Sequence, residues 1–529
     1  MTSDSLDFTN RAKHLDALEE KPFDVIVIGA GATGAGVARD AALRGLSVAL
    51  LEARDFASGT SSRSSKLIHG GLRYLAQGEL GLVQEAASER QILRNVAPHL
   101  ARITPFIVPA QSALAATKLR AGLWTFEKLG SVPAEERHEY WSARELAQKE
   151  PTFKTDGLNG AIVYSEFLTD DARLTLANVR SASAAGAIVT NYTQVTKIIR
   201  EGEKAVGVIA KSTLHGDHRE IAVRGRMIVN AAGPWVDAIR ALEDGSAETR
   251  LTLTKGIHIV FERERVPITR TTIIAAADKR TVFVVPRGEF TYIGTTDTFY
   301  PQADYWPQVE TSDISYLFDT INSAFNITPI TSTDVVSIWS GIRPLISQPG
   351  KKPSEISRKD EDWMGPAGIL TIAGGKLTAF RKMAERIVDK VADHLDATVK
   401  PCETATQTLP GGDCDMDELT TSAIFANRSE AFVDRISHLY GSESEDVVNA
   451  GGTVTAEAEH AVLKEGAVTL EDYWVRRSAR AWFDHEGGMK SLAPAADKMA
   501  SLLHWSQDEK QRQIDRCRDL HEESLSALP

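Results

Sequence analysis

The chain has 529 residues, of which 42% are hydrophobic and 25% charged, and a formal net charge of −12. The length favours two to four domains, and the composition is that of a globular protein, which excludes a disordered chain. The acidic balance argues against nucleic acid as a partner, because binding phosphate backbones needs a concentrated basic surface.

The cysteines and the apolar segments bear on the compartment. Cys402, Cys414 and Cys517 are too scattered for a disulfide framework and form no CxxC pair, so we expect a reduced, cytoplasmic protein without a thiolate metal site. No run of about 18 apolar residues is present, which predicts no membrane span. Residues 1–22 have no apolar core of a signal peptide and are interpreted as an N-terminal extension.

The most specific local pattern is a strand–helix–strand unit near the N-terminus. Residues 25–28 form a continuous apolar run, as expected for a parallel strand buried on both faces. A G-x-G-x-x-G loop, a helix rich in small residues and a second apolar strand at 48–51 follow, and Glu52 comes directly after that strand. This order predicts a Rossmann-type dinucleotide site rather than an ordinary glycine-rich loop.

Each glycine of the loop has its own mechanical task. Gly29 permits the tight turn, Gly31 lets the backbone approach a pyrophosphate, and Gly34 lets helix and strand pack closely. The helix N-terminus faces the phosphates with free N–H groups, and Glu52 is placed to accept hydrogen bonds from ribose hydroxyls. The sequence contains one such fingerprint, so one dinucleotide, FAD or NAD, is the expected cofactor.

A hydroxyl- and glycine-rich segment, residues 57–75, follows this unit and favours a flavin. Such a segment can donate to phosphates and bring backbone against a flavin ring, although a polar surface loop is the alternative. Its string SSKLIHGGLRYL (residues 64–75) strongly resembles the aerobic FAD-dependent glycerol-3-phosphate dehydrogenases. Further matching segments follow in the family's order: MIVNAAGPW (227–235), KGIHIV (255–260), TVFVVP (281–286), IGTTD (293–297), SGIRP (340–344) and GGKLT (374–378).

The resemblance implies an α/β FAD-binding Rossmann-type domain with an antiparallel-sheet substrate domain and a C-terminal all-helical cap. We expect an FAD-binding domain over 23–400, built from 23–100, 150–250 and 340–400, with the substrate-binding sheet interleaved at about 100–150 and 250–345. Helical spacing of apolar residues after a turn-rich boundary at 408–413 assigns 401–529 to the C-terminal helical domain.

The function implied is oxidation of sn-glycerol 3-phosphate by hydride transfer to FAD, with electrons passed to a quinone. The phosphate of this substrate needs cations, and its C2 hydroxyl needs a base. His258 is the candidate base, and Lys376 could instead stabilise charge on the flavin. The resemblance assigns catalysis to His258, Arg343 and Lys376, and substrate binding to these three together with Arg73, Tyr74 and Arg358.

Cofactor contacts are expected from the glycine loop, the segment after Glu52, and later turns. An isolated histidine or an Arg-Pro pair more often has a structural role than a functional one. For His69 the first interpretation is a neighbour of the flavin, and the second is a structural hydrogen-bond donor. The expected residues are Gly29, Gly31, Gly34, Glu52, Thr60, Ser61, Ser62, Ser65, His69, Gly70, Gly71, Leu72, Val195, Ala232, Gly233, Trp235, Gly375, Lys376, Leu377 and Thr378.

Residues 115–129 mix basic side chains with Leu, Trp and Phe, as helices at a membrane surface do. Leu119, Leu123 and Phe126 also follow helical spacing, and we favour a core-facing stripe by about two to one. The resemblance implies peripheral contact with the inner face of the cytoplasmic membrane and leaves the oligomeric state open, a homodimer included. Three alternatives remain: a glycerol-3-phosphate oxidase using oxygen, an amine or amino-acid oxidase on the same fold, and a flavin-binding sensor without turnover.

Overall fold

The computed structural model of the chain describes residues 6–69, 80–129, 132–245, 248–348 and 350–529. Its strands are β1 (Phe23–Ile28), β2 (Val48–Leu51), β3 (Leu67–Ile68), β4 (Arg102–Ala110), β5 (Glu139–Ser142), β6 (Gly160–Leu168), β7 (Ile188–Thr190), β8 (Thr193–Glu201), β9 (Lys204–Ser212), β10 (Glu220–Asn230), β11 (Leu251–Glu262), β12 (Thr271–Ala275), β13 (Thr281–Arg287), β14 (Phe290–Gly294), β15 (Thr298–Phe299), β16 (Val335–Ile346), β17 (Glu361–Met364) and β18 (Ile369–Ala373).

The helices lie between the strands and dominate the C-terminal part. They are Arg11–Ala17, Ala32–Leu43, Leu80–Val96, Ala113–Leu129, Ala143–Lys149, Asp171–Ala184, Val236–Glu243, Thr311–Ala324, Phe380–Leu395, Met416–Thr420, Glu430–Tyr440, Ser444–Asn449, Val454–Glu465, Arg480–Phe483, Met489–Leu503 and Gln507–Leu525, with a π-helix at Asp472–Arg477.

The first sheet has the order β17-β18-β10-β1-β2-β7. Its strands from β18 to β7 are parallel, and β17 adds an antiparallel edge. The long strand β10 leaves this sheet at its N-terminal half, where it pairs with β9 and, through it, with β8. Because β1 lies between two parallel neighbours, nearly all of its residues are buried, which explains the continuous apolar run at 25–28.

The helix Ala32–Leu43 connects β1 to β2 and is flanked by the helices Asp171–Ala184 and Phe380–Leu395. Small residues allow this close packing. A side chain at Gly34 would place its Cβ 1.9 Å from the carbonyl oxygen of Gly29, so the helix sits directly on the turn that follows β1. The predicted packing role of Gly34 therefore has a clear geometric basis.

The second sheet has ten strands, with the order β15-β11-β14-β13-β12-β4-β6-β3 and with β16 on β11 and β5 on β6. Strand β6 belongs here, although we placed 150–250 with the FAD-binding domain; its nine residues pair antiparallel with all of β4. Strand β12 runs parallel to β4, so the sheet is mixed rather than purely antiparallel. Sequence periodicity indicates a strand but not the sheet that it joins, which accounts for both differences.

The helix Ala113–Leu129 presents two different faces. Leu123 and Phe126 are buried, as the core interpretation predicts, whereas Leu114 and Trp124 are 66% and 58% exposed. Across the described ranges, none of the helices combines the length and the apolar character needed to cross a membrane.

Candidate functional site

A cavity of about 780 Å³ opens where the parallel strands of the first sheet end. Ile28, Leu51 and Ala373 are the last residues of β1, β2 and β18, and all three line the cavity. Ligands of open α/β sheets bind at this edge, and the volume falls in the range of small-molecule sites.

The turn after β1 requires glycine. Gly29 has φ +98°, and a Cβ there would lie 2.7 Å from the carbonyl oxygen of Ala231, so the turns after β1 and β10 approach at van der Waals distance. Gly31 is the N-cap residue of the following helix, whose first N–H, from Ala32, donates to Ser61 Oγ at 2.9 Å. A helix N-terminus and a hydroxyl thus face the cavity where pyrophosphate oxygens are expected.

Glu52 is anchored by backbone N–H groups. Its carboxylate accepts hydrogen bonds from Ala30 at 2.7 Å and Arg54 at 2.9 Å. Burial raises the pKa of Glu52, although these two N–H groups oppose the shift. Arg54 also lines the cavity, and its guanidinium stacks on the Tyr305 ring at 4.1 Å.

Most of the residues expected to contact the cofactor line this cavity. Those that line the cavity are Gly29, Gly31, Glu52, Thr60, Ser61, Val195, Ala232, Gly233, Trp235, Gly375, Lys376 and Leu377. Those that do not are Gly34, Ser62, Ser65, His69 and Thr378. Thr378 donates instead to the carbonyl oxygen of His69 at 3.2 Å. Gly70, Gly71, Leu72, Arg73 and Tyr74 lie outside the described residues.

Sequence reasoning missed the pair formed by Lys66 and Asp171. Lys66 Nζ lies 2.6 Å from Asp171 Oδ1, and the two side chains are almost fully buried. Asp171 lines the cavity, and its Oδ2 accepts from the N–H and hydroxyl of Ser64 at 3.0 and 2.7 Å. The pair therefore ties the segment after Glu52 to the helix Asp171–Ala184. A local signal existed, since Asp170 caps that helix after the apolar run of β6.

His258 lies on β11 opposite Gly294 and Trp339 of the neighbouring strands. Its ring stacks on the Trp339 ring with centroids 4.6 Å apart and planes 11° apart. A Cβ at Gly294 would lie 2.1 Å from His258 Cδ2, so glycine is what leaves room for the imidazole. Nε2 is 2.9 Å from the hydroxyl of Ser65, and the buried Nδ1 has no hydrogen-bond partner among the described residues.

The imidazole of His258 is neutral at physiological pH. Burial is the main cause that lowers its pKa well below the ordinary value, and the charges of Arg343 and Lys66 act in the same direction. A neutral imidazole has a lone pair on one ring nitrogen that can accept a proton, which is what a general base must do.

Arg343 lies on β16, directly over the backbone of Gly256 on β11, where a Cβ would lie 2.2 Å from its Nη2. It donates to Thr295 Oγ1 at 2.8 Å and to Asp297 Oδ1 at 3.1 Å. Burial, opposed by Asp297, lowers its pKa to about 10, so the guanidinium stays charged at neutral pH. The next residue, Pro344, lines the cavity.

Arg358 and Lys376 are the other two candidate cations among the described residues. Arg358 approaches Asp297 to 4.0 Å, so one carboxylate serves both arginines. Burial, then Lys376 and Arg358, lower the pKa of His69 to about 3, which places both charges near this side chain. Lys376 lines the cavity, whereas Arg343, Arg358 and His258 are not among its lining residues. Arg343 and Arg358 share Asp297, and the charge of Arg343 acts on the neutral His258. This arrangement can bind an anion and accept a proton from it.

Two family models match the chain. Residues 24–381 match the FAD dependent oxidoreductase model, and residues 402–510 match the C-terminal domain of alpha-glycerophosphate oxidase. The chain is 38% identical to the aerobic glycerol-3-phosphate dehydrogenase of Bacillus subtilis over 98% of each chain. It is 37% identical to that of Staphylococcus aureus over 92% of each.

A solved structure covers the whole chain. The glycerol-3-phosphate dehydrogenase of Bacillus halodurans, described as complexed with FAD, aligns with 100% of this chain and 99% of its own. The TM-score is 0.83 and the sequence identity 32%.

Proposed function

The chain belongs to the FAD-dependent oxidoreductase family that includes the aerobic glycerol-3-phosphate dehydrogenases, and from this membership we propose that it oxidises sn-glycerol 3-phosphate to dihydroxyacetone phosphate. One observation carries the proposal: Arg343 and Arg358 share the carboxylate of Asp297, Arg343 directly precedes the cavity-lining Pro344, and Lys376 itself lines the cavity. A phosphate dianion matches several cations, whereas an amino-acid carboxylate needs only one arginine.

The residues of the cavity fit FAD. Gly29 and Gly31 let backbone approach the pyrophosphate, Ser61 adds a hydroxyl there, and Glu52 lies at the end of β2, where the ribose is expected. When bound, FAD supplies the acceptor for the hydride that leaves C2 of the substrate.

The protein's own groups bind the phosphate and take the proton. Arg343 presents a guanidinium whose planar fork matches phosphate oxygens, with Asp297 and Thr295 fixing its orientation. His258 takes the C2 hydroxyl proton as the carbon loses hydride, and Trp339 and Ser65 hold the imidazole in position. The product is the ketone, because the hydroxyl proton goes to His258 and the C2 hydrogen leaves with two electrons as hydride.

The electron acceptor proposed is a quinone, and the protein would meet it at a membrane surface. The outer face of Ala113–Leu129 supports this, because exposed Leu114 and Trp124 stand among exposed Lys118 and Lys128. Apolar anchors among lysines are typical of helices that lie on anionic lipid surfaces. Sedimentation with anionic vesicles measures this contact, and Trp124→Ala should reduce the bound fraction.

The reaction is tested by following the absorbance of the bound flavin without oxygen. We expect sn-glycerol 3-phosphate to bleach it, and glycerol or glycine to leave it oxidised. If the oxidised-flavin absorbance returns when a soluble quinone is added, but only slowly in air, the electron acceptor is a quinone. Rapid recovery in air identifies an oxidase instead. Bleaching by glycine would contradict the substrate proposed here.

A further inference from the structure

Two adjacent arginines in the C-terminal segment, residues 401–529, contact the loop at residues 52–55 that follows β2. Arg476 and Arg477, in the π-helix Asp472–Arg477, are 2% and 1% exposed, and both bind Asp55, which is fully buried. Arg476 Nε lies 2.5 Å from Asp55 Oδ2, and Arg477 Nη2 lies 2.9 Å from Oδ1. Asp55 follows Glu52 by three residues, so the contact joins two parts of the chain more than 400 residues apart.

The remaining donors of the two arginines are also satisfied. Arg476 donates to Glu471 and Asp472, each at 2.9 Å, and Arg477 donates to the carbonyl oxygen of Glu465 at 2.8 Å. Burial alone would raise the pKa of Asp55, but Arg477 and Arg476 outweigh it and lower the pKa. A buried ion pair of this kind contributes little as a pair, yet loss of one partner is costly, so it fixes geometry.

A second chain of contacts leads from Arg476 to the residues that line the cavity. Its Nη1 donates to the hydroxyl of Tyr305 at 2.8 Å, and the Tyr305 ring stacks under Arg54 at 4.1 Å. Arg54 lines the cavity, and its N–H donates to Glu52 at 2.9 Å. Beyond Asp55, the N–H of Ala57 donates to the carbonyl oxygen of Ala30 in the glycine loop at 3.0 Å. The loop is thus held from outside by residues of the C-terminal segment.

We propose that Arg476 and Arg477 are positioning residues for the cofactor. They hold the loop at residues 52–55 in the conformation that binds the adenosine half of FAD, so retention of FAD depends on the C-terminal segment. The proposal rests on FAD being the cofactor, as proposed above, and makes no assumption about the substrate.

The test compares two arginine variants. Arg477→Lys keeps the charge but loses the fork that binds Asp55. Arg435→Lys is the matched control, because Arg435 binds buried Glu457 through both Nη atoms, at 2.9 and 2.6 Å, and the hydrogen bonds of its side chain go to Glu457 and Ser478. FAD release from the diluted holoenzyme is followed by the fluorescence of free flavin, and the thermal midpoint is measured in excess FAD.

We expect Arg477→Lys to release FAD at least about tenfold faster while KM for glycerol 3-phosphate, at saturating FAD, stays within twofold. Arg435→Lys should lower the thermal midpoint and leave FAD release within about twofold. Equal release rates for wild type and Arg477→Lys would overturn the proposal, as would acceleration by both variants in proportion to their lost stability.

A second variant covers the case in which Arg477→Lys does not fold. Tyr305→Phe removes the hydroxyl that accepts from Arg476 but keeps the ring under Arg54. About threefold faster release of FAD supports the proposal, and an unchanged rate contradicts it. Failure of the substrate proposal would leave these rates unaffected, so the two can fail separately.

Discussion

Replacing Gly294 by alanine should displace the candidate base without changing any ionisable group. Gly294 lies opposite His258 in the β11–β14 ladder, and the added Cβ would lie 2.1 Å from Cδ2 and 2.7 Å from Nε2 of the imidazole. Ordinary contact begins at about 3.4 Å, so the ring must move by more than 1 Å. Trp339 is stacked on the same ring and limits where it can go.

The size of the effect follows from this displacement. A catalytic group misplaced by about 1 Å can lose on the order of 100-fold in rate. We therefore expect kcat to fall about 100-fold, equivalent to about 2.7 kcal/mol of barrier. The content of FAD should not change, because Gly294 does not line the cavity. Overpacking costs about 1–3 kcal/mol of stability, which is smaller than a typical free energy of unfolding.

The assay is single-turnover reduction of the bound flavin by glycerol 3-phosphate without oxygen. Gly81→Ala serves as the control, since Gly81 is an exposed helical glycine with no neighbouring atom within 4 Å of the added Cβ. A Gly294→Ala rate within threefold of wild type, in a folded protein with full FAD content, would show that the position of His258 does not limit the reaction.

Three further outcomes follow from the site. Gly256→Ala places a Cβ 2.2 Å from Arg343 Nη2 and should raise KM for glycerol 3-phosphate at least about tenfold with a smaller change in kcat, measured at steady state. The lowered pKa of His258 keeps the base unprotonated until the pH falls well below 6.5. The rate of flavin reduction at saturating substrate, which does not depend on the ionisation of the free phosphate near a pH of about 6, should therefore show its acid limb well below 6.5, and a limb near 6.5 would contradict the assignment. Lys66→Met leaves Asp171 buried without its cation and should cost about 3 kcal/mol or more in urea unfolding. The double variant with Asp171→Leu should recover only part of this loss, because Ser64 then also loses its acceptor.

The cofactor half of the site could be predicted because its chemistry is local in sequence. Strand, glycine turn, helix and acid follow one another within about 30 residues, and each part is set by the backbone of its neighbours. Glu52, Gly29 and Gly31 accordingly line the cavity. The resemblance supplied His258, Arg343 and Lys376, which no periodicity could have singled out.

The partners of these residues could not be predicted, because they come from distant parts of the chain. Asp171 reaches Lys66 across 105 positions, and Asp297 reaches Arg343 across 46. Gly294 has no local reason to be glycine until His258 is placed on the neighbouring strand. For the same reason the sequence does not reveal which sheet β6 joins, because alternation of apolar and polar residues predicts a strand but not its neighbours.

The central claim is that hydride leaves C2 of glycerol 3-phosphate for the bound flavin, and one measurement tests it most directly. Purified protein is mixed rapidly, without oxygen, with glycerol 3-phosphate carrying hydrogen or deuterium at C2, and loss of the oxidised-flavin absorbance is timed. We predict bleaching with both, several-fold slower with deuterium. Flavin that stays oxidised with both substrates would contradict the account.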